Sequence, residues 1–109
     1  MSLDFHLEND QGASLANFNI THNLNGMAEA AGIYGCLWRP EEQDPPIKTA
    51  AQCVPFLRAG LADLKAGPAK FRLFSAKNGW GTYEQFVPWV EKVLAACEAN
   101  PDAFVSASR

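Results

Sequence analysis

The stretch Asn17–Gly26, "NFNITHNLNG", gathers four asparagines, one threonine and one histidine. A carboxamide both donates and accepts, and a neutral imidazole does one with each nitrogen. Asn19, His22, Asn23 and Asn25 are therefore candidates to line a polar pocket. Such a pocket would hydrogen-bond a small ligand, a nucleotide for example, or the backbone of a partner. The plainer reading is that Asn and Thr side chains cap a helix and satisfy a strand end, and the local pattern favours it.

A second knot is "KNGWGTYE", Lys77–Glu84. Asn-Gly and a second glycine force a tight turn, with Trp80 between the glycines. A tryptophan there is either an interface anchor or a staple folded onto the helix start, and the two readings stand level. Tyr83 follows at the helix start, and Glu84 suits the helix dipole. With Trp38, Trp80 and Tyr83 form the candidate interaction set. A third feature is Lys65, Lys70, Arg72 and Lys77 with Phe71 and Phe74 interleaved. Basic residues among aromatics can bind single-stranded nucleic acid. On an acidic chain, a solvated face over two core phenylalanines carries more weight.

No enzyme signature is present: no G-x-S-x-G, P-loop, H-E-x-x-H or C-x-x-C. No catalytic residue, cofactor or metal site is expected. Cys36, Cys53 and Cys97 are odd in number and widely spaced, which suggests neither disulfides nor a zinc site. Cys53 and Cys97 fall in apolar helical context, where free cysteine packs as a small hydrophobe. The acids Glu41, Glu42 and Asp44 lie in a proline-rich loop and are expected to be solvated.

These residues need elements to hold them. "SLDFHLE" alternates, with Leu3, Phe5 and Leu7 on one face, as in a half-buried strand. "NDQG" is a turn, and "SLANFNI" alternates again with Ala16, Phe18 and Ile20 inward, which makes a hairpin. Thr21 stands as the N-cap of a short helix that Gly32 ends. "IYGCLW" reads as helix or irregular structure, and "RPEEQDPP" as a loop.

"TAAQCVPFL" (49–57) and "TYEQFVPWV" (82–90) share Thr, Gln, Val and Pro at the same offsets. Thr followed three residues later by Gln is a capping box, and the apolar stripes beyond it predict helices over roughly 50–66 and 83–99. Two copies are too few for a solenoid, so the likeness reads as shared helix-start grammar, with the two helices packed side by side. Pro55 and Pro88 then fall inside the helices, where a bend or a loose first turn is expected. "AFVSASR" predicts a third strand. The expected fold is α+β, a small antiparallel sheet (N-terminal hairpin plus C-terminal strand) packed against about three helices in a single domain.

Hydrophobic residues make up 48% and charged residues 19%, and the net charge is −3. That excludes a disordered chain and gives no general attraction to nucleic acid or anionic lipid. Without a signal-like N-terminus or a long apolar run, a cytoplasmic protein off the membrane is expected. The sequon Asn19–Thr21 then reads as chance.

The motifs NIT-x-N from Asn19, NGWG-x-YE over Asn78–Glu84 and PDA-x-V-x-x-SR over Pro101–Arg109, together with "KTAAQCVPFL", resemble a group of small uncharacterised proteins from bacteria, phages and prophages. The likeness spans most of the chain. It implies no catalytic or binding residue. It implies a mobile-element setting, where small proteins without active sites act by binding, among them inhibitors of host defence. The resulting expectation is a non-catalytic interaction protein whose partner is a larger bacterial protein or complex. The alternative is a small-ligand binder using the Asn-rich junction, and a small enzyme ranks behind both. Nucleic acid is not the expected partner.

Overall fold

The structure, a computed structural model, describes residues 2–109. Three strands, β1 (Ser2–Glu8), β2 (Ser14–Thr21) and β3 (Phe104–Ser108), form one antiparallel sheet in the order β2-β1-β3. The α+β class, the hairpin and the C-terminal strand are as the alternation predicted. Leu3, Phe5 and Leu7 point into the core from the central strand, and Ile20 joins them from β2. At the hairpin turn Asn9 Oδ1 accepts the N–H groups of Gln11 and Ala13, and Gly12 takes the left-handed backbone that the turn needs (φ +79°). The register shifts after Leu7↔Ala16 to Glu8↔Ser14, which leaves Leu15 as a bulge residue, exposed.

Thr21 caps as expected: its Oγ1 accepts from Asn23 N–H at 3.3 Å, starting a 3-10 turn at His22–Leu24. The turn runs into α1 (Asn25–Ala30), which Gly32 ends with φ +77°. The ambiguous "IYGCLW" contains a short helix, α2 (Tyr34–Trp38).

Two long helices, α3 (Ala50–Ala66) and α5 (Tyr83–Ala99), flank a short α4 (Pro68–Arg72). Both long helices open with capping boxes. Gln52 Oε1 accepts from Thr49 N–H at 3.0 Å, and Gln85 Oε1 from Thr82 N–H at 3.1 Å. The repeated stretch is thus helix-start grammar. The helices lie side by side and antiparallel, tied by Arg58–Glu98 (2.6 Å) and Lys65–Glu91 (3.3 Å). Their buried faces carry Cys53, Leu57 and Leu64 on α3, and Phe86, Val90, Val93 and Cys97 on α5. Both start where their caps place them and run on through Pro55 and Pro88. The carbonyls that the prolines leave without a ladder partner belong to Ala51 and Glu84, both exposed, where water can replace the lost bond.

Both outer strands are engaged on their far sides, which protects the sheet edges. Val105 N–H donates to Lys48 O beside β3, and Thr49 bridges Phe104. Trp89 of α5 donates its indole N–H to Asn19 O of β2 at 3.0 Å and meets Phe18 edge-on.

Glu41 and Glu42 are exposed, as expected of acids in this loop, and they also carry ion pairs. Arg109 Nη1 binds Glu41 at 2.7 Å and also donates to Trp38 O at 2.8 Å, while Arg39 binds Glu42 at 2.8 Å. Four residues cannot announce such a cluster in sequence, because Arg109 is brought to the loop only by the strand that precedes it. Among the described residues, no helix is long and apolar enough to cross a membrane.

Candidate binding groove

The hairpin and α5 bring the two polar knots together. One wall of a groove of about 900 Å³ is the end of β2 and the turn after it, with Asn19, Ile20, Thr21, His22 and Asn23, joined by Ser2. The other wall is the glycine turn and the first turn of α5, with Asn78, Trp80, Gly81 and Gln85. Asn23 Nδ2 donates to Trp80 O at 2.8 Å and fastens one wall to the other.

Close approach requires glycine at position 81. Its φ is +107°, and a Cβ there would lie 3.0 Å from Thr21 Cγ2 and 3.1 Å from Asn23 Cβ. The turn itself is held by Ala76 N–H donating to Gly81 O (2.9 Å) and by Trp80 N–H donating to Asn78 Oδ1 (3.0 Å). Trp80 is 72% exposed, so it is no staple. Leu73 (85% exposed) and Phe74 (42%) stand on the segment that precedes this turn. Phe74 leans towards α1, close to Gly26.

The remaining sequence candidates sort differently. Trp38 is 2% exposed, its ring stacks on Tyr34, and its indole N–H donates to His22 Nδ1 at 2.9 Å. Tyr83 is 9% exposed and its hydroxyl donates to Leu64 O at 2.6 Å. Neither offers the exposed surface expected of an anchor. Both were drawn inward because an aromatic with a polar tip fits a core wherever that tip finds an acceptor. Asn25 is exposed at the start of α1, outside the groove lining. Asn19 lies at the groove, with Nδ2 donating to Ser2 Oγ (3.0 Å) and Asp4 Oδ1 (2.8 Å).

The basic stretch is partly spoken for. Lys65 pairs with Glu91, and Arg72 with Glu84 at 2.7 Å. The Arg72 hydrogen bond holds the Glu84 carboxyl below the usual carboxylate range. Of the two phenylalanines expected in the core, Phe71 is buried and Phe74 is not.

The three thiols are free and buried. Cys53 is held above the ordinary thiol range by its contact with Cys36 and by burial, and burial pushes Cys97 up to about 12. Neutral, enclosed thiols are poor nucleophiles. Among the described residues, no group of three or more His, Cys, Asp or Glu side chains converges as metal ligands would.

Sequence reasoning missed Asn78 and Gln85 as groove residues. Each had a sufficient local role, as turn former and as cap, and only the packing of α5 against the hairpin makes them part of the groove lining. Compared with protein-family models, with curated proteins and with solved structures, the chain matches none.

Proposed function

We propose that the protein is a non-catalytic interaction module that docks a larger bacterial protein through this groove and its tryptophan rim. One observation carries the reading. Trp80 projects into solvent from a turn that is hydrogen-bonded to the Asn-rich junction, and Leu73 and Phe74 on the preceding segment are exposed as well. An exposed aromatic on a fixed backbone loses little entropy on docking, which is what an anchor requires. The resemblance to mobile-element proteins supplies the partner class, a component of a bacterial defence system that binding would block. The test is affinity capture from bacterial lysate with wild type beside Trp80→Ala, bound proteins being identified by mass spectrometry. The expected result is one partner retained by wild type and lost by the variant, with melting temperature unchanged. A partner held equally by both baits would remove Trp80 from the interface and overturn the reading.

A second reading is favoured by the groove's size, which falls in the range of small-molecule sites. A ligand bound there stabilises the fold by mass action. A thermal-shift screen that includes nucleotides checks it, and a flat screen removes it.

A further inference from the structure

Four carboxamides in the groove have their orientation set by partners that can only donate or only accept. Asn19 must turn Nδ2 towards the Asp4 carboxylate, and Asn23 must turn Nδ2 towards the Trp80 carbonyl. Asn78 must turn Oδ1 towards the Trp80 N–H, and Gln85 must turn Oε1 towards the N–H groups of Gly81 and Thr82. The free ends follow. Asn19 and Asn23 are left with an acceptor oxygen on one wall, and Asn78 and Gln85 with a donor NH₂ on the other. Among the described residues, none of these four free ends has a protein partner. His22 obeys the same logic. Trp38 can only donate, so Nδ1 is the acceptor and the proton sits on Nε2. Among the described residues, no side chain lining the groove carries a formal charge when His22 is in this neutral form.

From this arrangement we infer that the groove recognises a neutral amide, and specifically the main chain of an extended peptide segment of the partner. A trans peptide unit points its N–H and its C=O in opposite directions. It can give its N–H to the acceptor wall of Asn19 and Asn23 and take a bond into its C=O from Asn78 and Gln85. Among the described residues the lining offers no cation, which disfavours phosphate, because anion sites are built from positive charge or clustered N–H groups. The inference rests on the docking reading above and adds what the groove reads.

Two substitutions invert the donor wall and keep the fold. In Asn78→Asp and Gln85→Glu the retained oxygen still accepts the turn and cap N–H groups, while the free NH₂ becomes a carboxylate oxygen. The probe is N-acetyl-tetra-alanine amide, which carries main-chain amides and no functional side chain. It is titrated at millimolar concentration while the side-chain NH₂ signals of Asn78 and Gln85 and the Trp80 indole signal are followed by NMR. Uridine, adenosine and inorganic phosphate are titrated in parallel. The expected result is that the peptide shifts all three signals, and that the double variant, with an unchanged melting curve, binds it about tenfold more weakly. Shifts from the nucleosides with none from the peptide would overturn the inference in favour of a nucleobase. Shifts from phosphate would do so in favour of an anion, and no shift from any probe would also overturn it. If Trp80→Ala loses a captured partner while the peptide moves nothing, the docking reading stands and this inference falls.

Discussion

His22 and Trp38 show how one hydrogen bond couples the core to the groove. The Trp38 indole is buried, and its N–H has the imidazole Nδ1 as its partner at 2.9 Å. Removing the acceptor leaves that donor buried and unpaired. We therefore expect His22→Ala to destabilise the fold by about 1–3 kcal/mol, seen as a lower urea midpoint at unchanged slope. The buried cysteines lead to a second prediction at this scale. Cys36, Cys53 and Cys97 should resist a thiol reagent in the native state and react together once the chain unfolds. Cys97 has a folded value of about 12, above its ordinary 9.0. The unfolded chain thus gives up this proton first as pH rises. The contribution to stability is complete below the ordinary thiol value and is lost as pH rises through the folded one. Alkaline unfolding curves of wild type and Cys97→Ala should converge over that interval. Parallel curves would show that the thiol is not what titrates.

At the scale of elements, α3 and α5 are held by contact more than by propensity. Gly60 lies on the buried face of α3, and a Cβ there would run into the Ile33 side chain and sit 3.0 Å from Ala31 O. Alanine is the better helix former by about 1 kcal/mol, yet overpacking costs about 1–3 kcal/mol. Gly60→Ala should therefore destabilise, and a stabilised variant in thermal melting would mean that α3 and the Ala31–Ile33 turn are looser than described. The caps act at the other end of each helix. Thr82→Ala removes the acceptor for Gln85 N–H, at 3.3 Å in the fold, and should cost about 0.5–2 kcal/mol. Because the same turn forms one groove wall, hydrogen exchange at Gly81–Gln85 should rise in that variant while the sheet stays protected.

Across the whole molecule, the C-terminal strand is tied back to the middle of the chain by Arg109, which reaches Glu41, Glu42 and the Trp38 carbonyl. These ion pairs are largely exposed, so their worth is small. Arg109→Ala should cost about 1 kcal/mol, mostly through the shared bond to Trp38 O. The hydrogen bond from Arg109 holds the Glu41 carboxyl below its ordinary 4.5. Its contribution is therefore present above that value and fades as pH falls through the folded value. The stability gap between wild type and Arg109→Ala should narrow in acid and not in base. A gap that widens in acid would assign the effect to another group.

Much of this fold is legible in the sequence. Alternation over Ser2–Glu8 and over "SLANFNI" from Ser14 to Ile20 placed the hairpin, and the Thr–x–x–Gln caps placed α3 and α5 at the bounds found. These are local signals, because strand alternation and helix capping are settled within a few residues of chain. Which aromatics face solvent was not local. Trp38 and Tyr83 lie inward rather than on an interface, since an indole or phenol goes inward only if a distant acceptor, here His22 or Leu64 O, is brought within reach, and Phe74, expected in the core, is exposed. The groove likewise belongs to tertiary structure alone. The sequence by itself held an Asn-rich junction and a Gly-Trp turn far apart in the chain, joined by the bond from Asn23 to Trp80 O across 57 residues. Packing of α5 against the hairpin decided that they form two walls of one site, and hydrogen bonds to backbone groups and to the Asp4 carboxylate decided which end of each amide is free.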